Sequence, residues 1–300
     1  MAKLIRWNPI DIRLASDEEQ QICLKLSKDP GLEWIIHYKK KWISPKYRGF
    51  ESTLLGPQAL HFLYLKDNGI DDMTQMMENI CEVFRSPICE IHICEESLIE
   101  WIIKFQPIIR HVSISEDVIT SVESLDRILK NLEVTEHFWL ESIALDDHFQ
   151  YNEPIPFRCI TINDSYWLTL TSILNGNNSI IRLCDSKLTP TDINTILKEW
   201  QMGFKLRSLE YMEIETFTFL DINSYRDEVL KDLPNHVGNF GRPMTVKIHD
   251  EYTETLPHDL SVHNIIRGDG MILSILGDYE EFEGGKTKVL LRLQVWGQQI

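Results

Sequence analysis

The sequence lacks the patterns on which most catalytic and cofactor sites are built. Its six cysteines, Cys23, Cys81, Cys89, Cys94, Cys159 and Cys184, contain no C-x-x-C pair, and no spacing of Cys, His or carboxylates matches a zinc or calcium pattern. No Gly-rich phosphate loop follows any apolar run, and no G-x-S-x-G elbow occurs. No uncharged apolar stretch of about 20 residues could span a bilayer, so no membrane association is expected. The start, "MAKLIRWNPIDIR", has two early bases but no apolar run behind them, which argues against a secretory signal. Together these absences imply an intracellular protein, cytoplasmic or nuclear, with free and mostly buried thiols. In that setting the sequons at Asn163 and Asn177 carry no meaning.

Positive charge is scarce too. Against 46 Asp and Glu there are 30 Lys and Arg, a formal net charge of -16. Residues 1–66 are mildly basic, with 11 bases and 7 acids, whereas residues 67–160 carry 19 acids and 6 bases. Such a surface repels phosphate backbones, so nucleic acid is not an expected partner. The exception is "HYKKKWISPKYR" (37–48), interleaved with Trp42 and Tyr47, which reads as a solvated face with aromatic anchors.

What the chain does contain is a recurring unit. A hydrophobic content of 43% is that of a globular protein. Short apolar runs read as strands at 89–93, 110–114, 136–142, 157–162, 180–184 and 208–214, with centres 21 to 29 residues apart. Between them, "ESLIEWIIKF" (96–105) and "SVESLDRILKNL" (121–132) place apolar residues at helical spacings. A strand and a helix at this period suggest an α/β, leucine-rich-repeat-like region, although the strict L-x-x-L-x-L-x-x-N signature is absent. An open α/β sheet of βαβ units gives similar spacing and remains the alternative.

One unit is fully specified. In "SKLTPTDINTILKEWQMG" (186–203), Thr189 is a candidate N-cap, Pro190 fits the first helical position and Asp192 stands where a capping-box acid belongs. Ile193, Ile196, Leu197 and Trp200 form the apolar stripe, and Gly203 supplies the stop. Beyond residue 234 the pattern changes to strand-like runs at 243–250, 260–267, 271–277 and 288–296, with "GDG" (268–270) as a tight turn and "EEFEGGK" (280–286) as a looser connection. The expected organisation is therefore an N-terminal segment (1–66), a leucine-rich-repeat-like region (67–234) and a small antiparallel β region (235–300). Within the first segment, residues 17–28 look helical and residues 47–58 look like loop.

Residues that could carry chemistry are scattered. His92 and Cys94 alternate on one strand, and His249, His258 and His263 lie near Asp250 and Asp259, but scattered residues of this kind are more often solvated surface than a metal site. Arg267-Gly268-Asp269 reads as the hairpin turn, and "DYEEFE" (278–283) as a solvated charge run. No catalytic, cofactor-binding, metal-binding or partner-binding residue is named, and no cofactor is expected.

The stretch from Ile160 to Glu215 resembles the F-box-associated type 2 domain of the F-box protein family that is greatly expanded in nematodes. The resemblance rests on Leu183, Ser186, Leu188, Thr189, Asp192, Ile193, Asn194, Leu197, Lys198, Trp200, Gly203, Leu209, Glu210 and Ile214, with Ile193 and Ile196 replacing the family's usual Leu and Phe. The ending "NIIRGDGMILSIL…LLRLQVWG" is also similar to the family's closing pattern, with Gly297 where a Pro is usual. In all, the resemblance covers about residues 67 to 297. It implies a non-catalytic recognition module that binds a protein substrate for a cullin ubiquitin ligase, the F-box itself joining a Skp1-type linker. Here the sequence departs from the family. Its only Leu-Pro pairs, Leu233-Pro234 and Leu256-Pro257, lie far from the start, and residues 1–66 contain no recognisable F-box. The case for a Skp1-type linker is correspondingly weak, as if a first exon were missing or the ligase-coupling module absent. The competing expectation is a small-molecule enzyme on an open α/β sheet, with a deep pocket of convergent polar groups at the C-terminal strand ends.

Overall fold

The computed structural model describes residues 10–16, 20–26, 29–39, 50–55, 58–146, 148–238, 240–258, 262–282 and 284–297. The chain is a mixed α/β protein that divides into two compact units, Met1–Val118 with Asp126–Val134, and Ile119–Leu125 with Thr135–Ile300. Among the described residues, no helix is long and apolar enough to cross a membrane.

In the first unit, β1 (Ile10–Ser16), β2 (Gln20–Leu26), β3 (Asp29–Lys39), β4 (Phe50–Leu55) and β5 (Gln58–Lys66) precede α1 (Ile70–Phe84). Then follow β6 (Ile88–Ile93), α2 (Glu96–Phe105) and β7 (Ile108–Ile114). The sheet order is β7-β6-β1-β2-β3-β5-β4. Two sequence expectations are corrected here. Residues 20–26 are a strand, not part of a helix. Their helix-forming composition is outweighed by a period-two pattern that pairs Ile22 with Ile36 and Leu24 with Trp34. Residues 50–55 are likewise a strand, paired antiparallel with β5 from Phe50↔Leu63 to Leu55↔Gln58. Residues 56–57, between these two strands in chain order, lie outside the described residues. Of the basic run at 37–48, residues 37–39 end β3, and the rest lies outside the described residues.

The strand-helix alternation continues through α3 (Val122–Asn131) and β8 (Glu133–Leu140) into the second unit. That unit adds β9 (Cys159–Ile162), α4 (Leu170–Asn175), β10 (Ile180–Ser186), α5 (Pro190–Met202), β11 (Tyr211–Thr218) and α6 (Ile222–Val229). It ends with β12 (His236–Val237), β13 (Thr245–His249), β14 (Tyr252–Thr255), β15 (His263–Ile266), β16 (Met271–Glu281) and β17 (Thr287–Gly297). Strands β8, β9, β10 and β11 are parallel neighbours in chain order, which is the arrangement the sequence period implies.

The C-terminal strands are antiparallel as expected, but they do not form a small sheet of their own. β17 pairs antiparallel with β11 from Tyr211↔Gln294 to Thr218↔Thr287, so β16, β15 and β12 extend the same sheet. The physical reason is that β17 alternates buried Val289, Leu291 and Leu293 with half-buried Lys288, Leu290 and Arg292, and its buried side continues that of β11. The only separate sheet among the described residues is the β13–β14 hairpin.

α5 realises its sequence specification. The Thr189 hydroxyl accepts from Asp192 N at 3.2 Å, and the Asp192 carboxylate accepts from Thr189 N at 2.8 Å, a reciprocal capping box. Gly203 closes the helix at φ 73, a left-handed conformation that glycine adopts without strain. Ile193, Ile196, Leu197 and Trp200 are all completely buried.

Candidate functional site

Strand alternation gives the second unit's sheet two chemically different faces. On one, Ile275, Gly277, Tyr279 and Leu291 share a cavity with Tyr225 and Val229 of α6. The opposite face therefore carries Asp278 on β16, and Leu290 and Arg292 on β17. Through the paired registers it also carries Tyr211, Glu213, Glu215 and Phe217 on β11, Arg182 on β10 and Thr161 on β9.

Three strands each place a charge between apolar residues, and register brings those charges into one row: Arg182, Glu213 and Arg292. Glu213 is almost fully buried, yet every lone-pair direction is used. Its Oε1 accepts from Arg182 Nε at 3.1 Å and Nη2 at 2.9 Å, and its Oε2 accepts from Tyr211 Oη at 2.9 Å and Arg292 Nε at 3.2 Å. Arg292 also bonds Asp278, and Arg182 stands 4.0 Å from Glu254 of the β13–β14 hairpin. Burial works against the charge on Arg182, but Glu213 outweighs it and holds the pKa above the ordinary value. For Arg292 the bond to Asp278 does the same. Burial and then the neighbouring Glu213 carboxylate push the Tyr211 phenol far up, so it stays a donor.

Next to this row the face opens. Lys288 pairs with Glu215 at 2.9 Å, Cys184 is half-buried, and burial reinforced by Glu215 pushes its thiol up to about 11. Phe217 is 37% exposed, packs edge-on against Phe282, and lies under the Lys286 ammonium at 3.9 Å. At the other side of the face, Trp139 is aligned with Thr161 and is 40% exposed. Where the face is covered, the cover is the small hairpin: Val246, Ile248 and Leu256 cluster with Cys159, Ile180 and Tyr211. The result is a half-open surface with a satisfied ionic centre and aromatic flanks, suited to a partner that brings both polar and apolar groups.

A groove of about 710 Å³ runs along the C-terminal ends of β10 and β11, where an enzyme on an open sheet is expected to keep its site. Several of its polar side chains are occupied locally, although Tyr225, whose hydroxyl has no partner, also lines it. Thr216 Oγ1 donates to Ser186 O and Leu188 O, Ser186 Oγ accepts from Leu188 N, and Thr218 Oγ1 accepts from Leu220 N. The Lys187 ammonium sits over the Tyr166 ring.

The histidines weighed in the sequence are dispersed. His92 is held by Ser115 at 2.5 Å and Ser113 at 3.1 Å, whereas Cys94 accepts from Gln20 Nε2 at 3.8 Å. His249 stacks on His137, and His263 meets Asn235 at 3.1 Å. Asp259 lies outside the described residues. Arg267-Gly268-Asp269 is the β15–β16 turn, with Arg267 Nε donating to the Asp269 carboxylate. No disulfide joins the cysteines among the described residues, and Cys23, Cys89 and Cys159 are buried. Sequence reasoning missed the Arg182–Glu213–Arg292 row. Its signal was legible as one charge at the centre of "IIRLC", "YMEIE" and "LLRLQV".

No curated protein and no solved structure matches the chain. Residues 149–214, which carry β9, α4, β10, α5 and the first half of β11, match the model of the F-box associated family, and over that stretch the chain carries an F-box associated domain.

Proposed function

We propose that the chain is a non-catalytic protein-recognition module, the substrate-binding part of an F-box-type adaptor of a cullin ubiquitin ligase. The observation that carries this reading is the position of the family match. Residues 149–214 supply Arg182, Cys184 and Glu213 to the half-open face opposite α6. The occupant of that face is a target protein. The parallel strand-helix units β8 to β11 support the reading, because they present side chains in rows along an extended surface. So does the local use of Thr216, Ser186 and Thr218 in the groove at the strand ends. Coupling to a Skp1-type linker is not assigned to residues 1–66, whose sequence has no F-box pattern.

The reading is tested by affinity capture of the full chain under cross-linking, in parallel with Trp139→Ser, Phe217→Ser and Phe282→Ser. A specific protein retained by the native chain and lost from these variants supports it. Identical capture profiles contradict it. Stoichiometric recovery of a Skp1-type linker decides separately whether the chain reaches a ligase directly.

A further inference from the structure

Beneath α6, away from the proposed recognition face, lies a cavity of about 160 Å³ with an unusual set of polar walls. Tyr225 is fully buried there, and its hydroxyl has no hydrogen-bond partner. Such a group is costly to leave unpaired, and in a cavity of this size a bound guest could supply its partner. A second phenol comes from Tyr279 on β16. A Cβ at Gly277 would stand 2.6 Å from that phenol's oxygen, so glycine leaves the space it occupies. Burial raises the pKa of both phenols, and each remains a donor at neutral pH. Arg226 brings a half-exposed guanidinium, whose Nη2 donates to Asn223 Oδ1 at 2.9 Å and whose Nε stands 3.9 Å from the exposed Asp227 carboxylate, leaving Nη1 for a guest.

His263 completes the set. Asn235 spends its amide on Leu233 O, so its Oδ1 accepts from His263 Nδ1 at 3.1 Å. Burial, and then Arg226, lower the His263 pKa and keep the ring neutral, which leaves Nε2 as an acceptor. Val229 and Leu291 supply apolar wall. Three donor groups, one of them cationic, thus share a small space with a single acceptor.

We propose that this cavity binds a small hydroxycarboxylate. Its carboxylate accepts from Arg226 and from the Tyr225 and Tyr279 hydroxyls, and its own hydroxyl donates to His263 Nε2. The volume sets the size, since a cavity of about 150 Å³ holds a guest of roughly six non-hydrogen atoms. This site goes beyond the protein-recognition reading and does not depend on it.

The test uses the full chain with lactate as probe, and lactamide, propionate and sodium chloride at matched ionic strength as controls. Lactate is expected to raise Tm saturably and to shift the amide resonances of residues 225–230 and 275–279. Propionate, lacking the hydroxyl, is expected to bind more weakly, and lactamide and chloride not at all. Tyr225→Phe is expected to weaken lactate binding about tenfold, while leaving the Tm of the empty protein unchanged or higher because an unpaired hydroxyl is gone. Arg226→Gln, at a half-exposed position, is expected to weaken lactate without a loss of Tm. No saturable response to lactate overturns the proposal, as does an equal response to lactamide or undiminished binding by Tyr225→Phe. In those cases the cavity holds solvent only.

Discussion

At the residue scale the centre of the candidate face is Glu213. One carboxylate compensates two guanidinium groups and a phenol, so truncation leaves charge stranded rather than merely removing a contact. Glu213→Ala is expected to cost about 3 kcal/mol or more, and Glu213→Gln less, because it keeps the shape and one acceptor. Urea unfolding of the two variants checks the order. Three buried or half-buried thiols give a pH prediction. Burial pushes Cys81 and Cys89 up to about 11 and Cys159 up to about 12, from the usual 9.0. Their folded pKa values lie above the unfolded ones, so the stability they contribute is complete below pH 9.0 and is lost as pH rises through about 11 to 12. A urea midpoint that holds steady through neutral pH and falls above 9.0 is expected; a rise on that side would contradict the assignment.

At the element scale, α5 shows how far sequence reaches. Thr189, Pro190, Asp192 and Gly203 act through their nearest neighbours, so cap, start and stop are legible from the order of residues alone. Thr189→Ala is expected to lower stability by about 1 kcal/mol in a thermal or urea melt. Asn194 could not be read the same way. It is buried, and its amide donates to Val229 O at 2.8 Å and Lys231 O at 2.9 Å, closing the end of α6 from a distance of 35 residues. Asn194→Ala strands those carbonyls and is expected to cost roughly 1–3 kcal/mol. The same division between local and distant partners explains the N-terminal corrections. β2 has the composition of a helix, and only pairing with β1 and β3 makes it a strand. α6 was missed although Asp221 caps it through Asn223 N and Ser224 N, a local signal that could have been found.

At the scale of the whole molecule, periodicity carried the parallel pair β6 and β7 and the parallel strands β8 to β11 but not the fate of the C-terminus. Alternation in β16 and β17 announces antiparallel strands, yet says nothing of which edge they join. Pairing with β11 is a long-range choice made by matching buried faces. The candidate face depends on that choice, because Arg292 and Lys288 reach Glu213 and Glu215 only once β17 docks there. This is why the face was invisible in sequence while its central segment, 149–214, was recognisable. The proposed function stands or falls on whether this face selects a protein. Quantitative cross-linking capture decides it, with the native chain, the Trp139→Ser, Phe217→Ser, Phe282→Ser triple variant, and a control carrying Phe204→Ser. Phe204 is 71% exposed and lies beyond the end of α5, outside the strands that build the face. The expected result is a partner bound by the native chain and the control but lost from the triple variant, with all three equally folded by circular dichroism. A partner retained by the triple variant, or lost only from the control, would mean that the face does not select it.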